Sequence, residues 1–422
     1  MALPLAILGS VPVDALALYV SPIGDDGLTG RSPVLGPSGA EGPFATLERA
    51  RDEIRIYRWS KGRLPAGGVS VLVHGGAYEF ASTLELGPED SGTPESPIIY
   101  QSYGSDTVRL SGSRRIPVAR FAPVTDKVIL ERLPGPAREA VVQVNLFDQG
   151  ITDFGRLTPR GKGRATKPAA LELFISGRAM PRARWPDEGW VEILQTPKGQ
   201  QGDMFVYDGR RPARWAENRD IWLHGYWTHP WADSYVRVVA IDTARHEFRT
   251  NQPHGIYGYS VGGRYYAFNI LEELDQPGEW YLDRETGWLF LWPPESFPEN
   301  DIYVSLLESP LLQCRETEWV QFHGFTFEAT RGNGIELHDS RHVALANCTV
   351  CNTGNTGILI AGGESCGIRD SELHQTGEGG IILRGGDRAS LKPGGHYVIG
   401  NNIHNYARWV RTLRPAVRLG GV

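Results

Sequence analysis

The sequence predicts an all-β chain: a right-handed parallel β-helix (a solenoid) with an N-terminal capping helix and an inserted antiparallel β-domain. Three observations predict it. From Val320 the chain repeats itself every 23 residues. Gly (51) and Pro (29) are frequent among its 422 residues, alongside 12 Trp and 16 Tyr. Between about Ala119 and Leu312 the repeat vanishes into a stretch that holds nine of the Trp. Many turns together with many aromatics point to strands rather than helices.

The repeat decides the class, because a fixed period means stacked units. Val320-Gln-Phe-His-Gly324-Phe-Thr-Phe aligns with Val343-Ala-Leu-Ala-Asn347-Cys-Thr-Val, with Cys366-Gly-Ile-Arg-Asp370-Ser-Glu-Leu and with Tyr397-Val-Ile-Gly-Asn401-Asn-Ile-His. A second strand follows in each unit, placing Ile335, Ile358 and Ile381 23 residues apart, with Ala416-Val-Arg-Leu in the fourth. Short strands with apolar residues at every second position cannot bury their inner face alone, so coils must stack. A leucine-rich repeat shares the period but would carry L-x-x-L-x-L, which is absent.

The N-terminal part fits the same architecture. A strand opens at Leu18. Thr46 is placed to N-cap a helix whose Leu47, Ala50, Ile54 and Tyr57 share one face, suited to covering the solenoid's open end. Strands follow at 69–74, 83–86, 97–100 and 108–111. In the Trp-rich stretch, residues 279–283 and 288–292 form a hairpin around Arg284-Glu-Thr-Gly287. The expected organisation is a signal-peptide-like segment 1–17, coils over 18–118, the insert over 119–312, and coils over 313–422.

Residues 1–17 are apolar and end in Ala15-Leu16-Ala17, a cleavage-like pattern, although Asp14 interrupts them and a basic start is lacking. They predict a secreted or periplasmic protein. The sequence stops at Arg418-Leu-Gly-Gly-Val422, in mid-coil, which predicts truncation and self-association through an uncapped end. No run of 18 apolar residues exists to span a membrane. Net charge is −6 with no long run of one sign, which disfavours nucleic acid and anionic membranes as partners. Cys348 and Cys351 form a C-x-x-C, and Cys314 and Cys366 complete the set; without finger-spaced His or a second pair, buried thiols are expected rather than a disulfide, zinc or redox chemistry.

Several segments carry a family resemblance. They are Tyr19-Val-Ser-Pro with Gly42-Pro-Phe-Ala-Thr46-Leu, Ala183-Arg-Trp-Pro-Asp187-Glu-Gly-Trp190, Glu279-Trp-Tyr-Leu-Asp283-Arg-Glu-Thr-Gly287, Gly385-Gly-Asp-Arg388 with Pro393-Gly, and Arg408-Trp-Val-Arg-Thr-Leu-Arg-Pro-Ala-Val417. Together they resemble the polysaccharide-degrading β-helix proteins grouped near glycoside hydrolase family 141, whose members include fucosidase and xylanase activities. The resemblance implies a glycoside hydrolase acting on plant or host glycans, with an acidic pair in coils beyond those present here. A lyase on uronic-acid polymers, or a non-catalytic carbohydrate-binding solenoid, stays open, because β-helices host all three.

Strand alternation supplies candidate site residues. With Ile335 and Leu337 inward, Glu336 and His338 point out, and Arg384 and Arg418 occupy equivalent outward places. The coil swollen by Arg384–His396 adds Asp387, Arg388, Lys392 and His396, and the next adds His404, Arg408, Trp409, Arg411 and Arg414. Arginine forks beside an aromatic ring suit sugar hydroxyls and carboxylates; alternatively these arginines pair locally with Asp370, Glu372, Glu378 and Asp387. Glu336, His338, Arg384, Asp387, Arg388, Arg408, Trp409 and Arg411 are thus the binding candidates. Asp370 and Glu372, taken as alternating along one strand, are the catalytic candidates, with a structural turn ladder as the competing role for Asp370. His224 and His229 lie among Trp222, Trp227 and Trp231, where a sugar platform or plain core is expected rather than a metal pair. No cofactor is expected, and the Gly262-Gly263 and Gly362-Gly363 pairs do not open helices as phosphate cradles would.

Overall fold

The computed structural model describes residues 15–37, 39–215, 218–252, 254–295, 297 and 301–421. The chain forms two compact units. One draws on Met1–Ser113, Leu307–Tyr406 and Pro415–Val422, the other on Arg114–Leu306 and Ala407–Arg414.

The first unit is a stack of coils whose strands line up in three sheets. One sheet orders Leu16–Val20, Val69–Val73, Ile98–Ser102, Val320–His323, Ala344–Ala346, Gly367–Arg369 and Tyr397–Ile399. A second orders Leu84–Leu86, Leu312–Arg315, Ile335–His338, Ile358–Ala361, Ile381–Gly385 and Val417–Gly421. The third orders Gly76–Glu79, Val108–Ser111, Phe325–Glu328, Thr349–Cys351, Glu372–His374 and Asn402–His404. Neighbours within each sheet run parallel: Leu312 pairs with Leu84, Val320 with Ile98 and Phe325 with Val108, so strands before and after residues 114–306 stack directly.

The 23-residue spacing makes chemically alike residues neighbours in adjacent coils. Ile335, Ile358 and Ile381 lie opposite one another and are fully buried, in one apolar core with Leu84, Leu312, Val350 and Leu373. A polar column runs beside them. Thr330, Thr353 and Thr376 are fully buried, and each hydroxyl donates to the carbonyl two residues on, at Gly332, Asn355 and Glu378. The alternative, three unpaired hydroxyls in a dry core, would cost several kcal/mol by the usual ~1–3 kcal/mol each.

Coils bend at corners of left-handed backbone repeated at the same period: Glu316 and Asp339; Trp319, His342 and Ser365; Asn347 and Asp370; Ala329, Asn352 and Gln375, with φ between 48° and 59°. Such backbone costs a non-glycine residue roughly 1–2 kcal/mol, so the stacked coils on either side must hold it. One alignment changes. Glu372 pairs with Asn402, so the corner that follows Asp370 is Gly400 (φ 66°), not Asn401. Asn401 instead continues a side-chain ladder: its Oδ1 accepts the Ser371 N–H at 3.0 Å, and Ser371 Oγ accepts the Cys348 N–H at 3.0 Å.

The helix Leu47–Lys61 begins at Thr46, whose hydroxyl accepts the Arg49 N–H at 3.1 Å, and ends at Gly62 with φ 71°. Its Leu47, Ala50 and Ile54 join the solenoid core, and Tyr57 packs on it part-buried. Of the leader-like segment, residues 1–14 lie outside the described residues; Leu16 and Ala17 belong to the first strand, opposite Val69 and Ser70. All four cysteines are buried thiols outside any disulfide. Burial pushes the Cys348 thiol up to about 11 and Cys366 up to about 12, so neither is a ready thiolate.

The second unit is antiparallel. Trp222–Tyr226 lies between Asp233–Asp242 and Arg264–Phe268. Trp280–Leu282 and Trp288–Leu291 form the expected hairpin. Leu223, Val236, Tyr265 and Ala267 on one sheet face enter an aromatic-rich core with Phe205, Trp215, Trp227, Phe248 and Tyr259.

Candidate functional site

Strand alternation assigns the other face of that sheet to Trp222, His224 and Tyr226, with Phe268, Tyr266 and Arg264 opposite them in turn. His224 and Asp233 are fully buried there. His224 Nε2 lies 2.9 Å from Asp233 Oδ2 and Nδ1 lies 3.1 Å from Tyr266 Oη, with the Tyr235 ring stacked 4.1 Å away. Burial holds the His224 imidazole below its ordinary value despite the carboxylate beside it. Burial alone would raise the Asp233 carboxyl. The His224 ring, Thr412 and the Arg411 amide outweigh that and hold it well below the usual carboxylate range.

Asp233 anchors the segment Ala407–Arg414. Its Oδ1 accepts the Thr412 N–H at 3.0 Å, its Oδ2 accepts the Arg411 N–H at 3.1 Å, and its own N–H donates to Thr412 Oγ1 at 3.2 Å. In the same segment Arg408 makes a two-pronged ion pair with Glu172, at 2.5 and 3.1 Å, and both side chains are largely buried. Trp409 packs part-buried against Trp222, Tyr235 and Phe268, and its carbonyl accepts the Tyr235 hydroxyl at 2.7 Å. Arg408 and Trp409, both binding candidates, are placed in packing: the Arg408 fork meets a buried carboxylate and the Trp409 ring lies inside an aromatic cluster. Arg411 differs from both. The residue is exposed, with its guanidinium 5.5 Å from the centre of the Trp190 ring.

A second aromatic group lies on the loop after Tyr226. His229 and Trp231 stack at 5.1 Å with planes 7° apart, Tyr257 stands edge-on to both, and the Lys162 amine lies 5.6 Å over the Trp231 ring. Trp231 is 49% exposed. His224 and His229 thus serve separate clusters, and among the described residues no group of three or more His, Cys, Asp or Glu is placed to hold a metal ion.

In the solenoid unit, Glu336 and His338 come together. The Glu336 Oε2 lies 2.8 Å from His338 Nε2 and accepts Gln313 Nε2 at 3.2 Å, while Oε1 accepts Asn333 Nδ2 at 2.8 Å. Arg384 and Arg388 are exposed, and Asp387 is turned inward on its own loop, accepting the Ala389 N–H and the Ser390 hydroxyl at 2.9 and 2.6 Å. Asp370 and Glu372 do not alternate along one strand. Asp370 sits on the corner that precedes the strand Glu372–His374, and Glu372 pairs with His404 at 2.9 Å. Of the arginines, Arg408 reaches Glu172 rather than one of these acids.

One acidic cleft was not foreseen. Asp187, Glu188 and Glu279, from two of the segments that carry the resemblance, line an open hollow of about 530 Å³ with Arg184 and Gln276. Glu279 Oε2 accepts the Asp275 and Gln276 N–H groups at 3.2 and 3.3 Å, and burial pushes its carboxyl up to about 8. The signal available was the paired motifs themselves.

Comparison with known proteins adds the fold. A model of right-handed β-helix regions matches residues 311–393. Among solved structures, one described as a glycoside hydrolase is 16% identical, covers 97% of this chain and 96% of its own, and superposes with a TM-score of 0.63. What they share is the fold. The complex of XylC with xylose (11% identity, 96% of this chain and 65% of its own, TM-score 0.39) and the Gp54 tailspike of Acinetobacter baumannii bacteriophage AP22 with capsular saccharide (10%, 84% and 50%, 0.14) are too distant to carry an argument. No curated protein matches this chain.

Proposed function

We propose that this chain is a carbohydrate-active β-helix protein of the polysaccharide-degrading, glycoside hydrolase type, exported to the periplasm or cell exterior. In this reading Leu47–Lys61 caps the solenoid, and the antiparallel unit is an inserted saccharide-binding domain. The Trp231 platform carries the reading. Its ring is half exposed, yet His229 and Tyr257 hold it in place, so a sugar can stack on it without first ordering a mobile side chain. Covering about 100 Å² of apolar ring at about 25 cal/mol/Å² gives an upper limit near 2.5 kcal/mol.

A second reading, saccharide binding without turnover, is favoured by the Asp370 and Glu372 geometry. A corner residue and a His-paired carboxylate are not the facing pair that glycoside hydrolysis uses. For either reading, Trp231→Ala is expected to weaken oligosaccharide binding by about tenfold, within the roughly sixtyfold that this ceiling allows, while the melting temperature moves little. Calorimetric titration of both proteins checks it. Unchanged binding by the variant would remove Trp231 as the platform.

A further inference from the structure

A different cluster gathers around Trp190. Its ring centre lies 5.4 Å from that of Tyr226 and 5.2 Å from that of Tyr266. The guanidiniums of two exposed residues lie over these rings: Arg264 at 5.5 Å from the Trp190 centre and 4.7 Å from Tyr226, and Arg411 at 5.5 Å from Trp190. Neither has a carboxylate partner among the described residues. The acid that could serve is Asp233, opposite Tyr226 on the adjoining strand, and it is occupied by His224 and by the Arg411 and Thr412 amides. A third arginine, Arg184, lies 3.8 Å over Tyr266, with its fork on the carbonyls of Pro186 and Gly189. Asp187, Glu188 and Glu279 share a hollow with Arg184 and form no ion pair with Arg264 or Arg411.

In a chain of net charge −6, two exposed arginines left without acids beside one ring run against the overall balance. Covering an indole needs one cation, not two, and an unpaired pair of like charges is unfavourable unless an anion completes it. A guanidinium fork matches a carboxylate or sulfate in two-pronged fashion, and an indole matches the C–H face of a pyranose. We infer that Trp190, Arg264 and Arg411 form a subsite for a negatively charged sugar residue, a uronate or a sulfated pyranose. This rests on the carbohydrate reading above but uses residues separate from the Trp231 platform.

The test titrates the full chain with oligogalacturonate, dextran sulfate and neutral dextran and galactan oligomers, at low and high salt. Wild type is compared with Arg264→Gln/Arg411→Gln and with the charge-keeping Arg264→Lys/Arg411→Lys. At least one acidic glycan is expected to bind about ten- to a hundredfold more tightly than the neutral ones. Salt and the Gln pair should abolish that preference, the Lys pair should keep part of it, and neutral binding at Trp231 should persist throughout. Which acidic probe binds separates carboxylate from sulfate. Equal binding of acidic and neutral glycans by wild type would overturn the inference and leave the carbohydrate reading standing, whereas no binding of any glycan would remove both. Equal capture of polyglutamate or an oligonucleotide, lost in the same variant, would also overturn it, as would a Gln pair that melts lower yet keeps the acidic preference.

Discussion

Replacing Asp233 with Asn changes one atom of a carboxylate where three hydrogen bonds meet. The carboxylate accepts from His224 on one side with the Arg411 amide, and from the Thr412 amide on the other. An Asn oxygen turned toward His224 keeps two of these as weaker neutral bonds, and its NH2 then faces the Thr412 N–H, leaving a buried donor without an acceptor. Losing charge assistance in two bonds costs about 1 kcal/mol each, and the orphaned donor about 1–3 kcal/mol. The sum is about 3–5 kcal/mol. At about 2–4 °C per kcal/mol for a unit of this size, the antiparallel unit should melt roughly 6–20 °C lower near pH 7. The amides of Arg411 and Thr412 should lose hydrogen-exchange protection first, since Asp233 holds them. The pH dependence has a definite sign. Because the Asp233 carboxyl is held below its ordinary value, its contribution is present above the unfolded carboxylate range and is lost as pH falls through the native value. The gap between wild type and variant should therefore narrow in acid. Urea unfolding at pH 7 and pH 3 with exchange mass spectrometry measures both; a pH 7 difference under 1 kcal/mol, or a gap that widens in acid, would refute the reasoning.

Two further outcomes follow from burial. Ile358→Ala, in the middle of the isoleucine column, should cost about 2–5 kcal/mol, while Leu359→Ala on the partly exposed face next to it should cost about 1 kcal/mol or less; chemical denaturation of both compares them directly. Glu279 has a carboxyl raised to about 8, so it stabilises below its unfolded value near 4.5 and loses that contribution as pH rises through about 8. Glu279→Gln should flatten that alkaline loss, seen as a smaller fall in melting temperature between pH 5 and pH 9 than in wild type.

The solenoid core was legible because its period is exact. Ile335, Ile358 and Ile381 recur at 23 residues, and a one-residue slip would turn each to the wrong face. After the enlarged loop the period no longer constrains the chain. Gly400 and Asn401 then look alike as corner residues, and only the pairing of Glu372 with Asn402 decides between them. The site was less legible for a related reason. Arg408 and Trp409 follow a coil in sequence and were read with it, yet their partners Glu172, Tyr235 and Phe268 lie some 140 to 240 residues earlier and leave no local trace. The Arg411 contact was part-legible, from its charge and its Trp neighbours in composition, but Trp190 as its partner was not. Antiparallel pairing of 222–226 with 233–242 would have placed His224 near Asp233, had the short turn between them been used.

Whether this β-helix chain acts on or binds saccharides is tested most directly by a panel of plant and host glycans, scored for binding and for new reducing ends. Measurable binding to at least one glycan is expected, weakened about tenfold in Trp231→Ala, with reducing ends released under the hydrolase reading. Binding to none of the panel by a folded protein would contradict it.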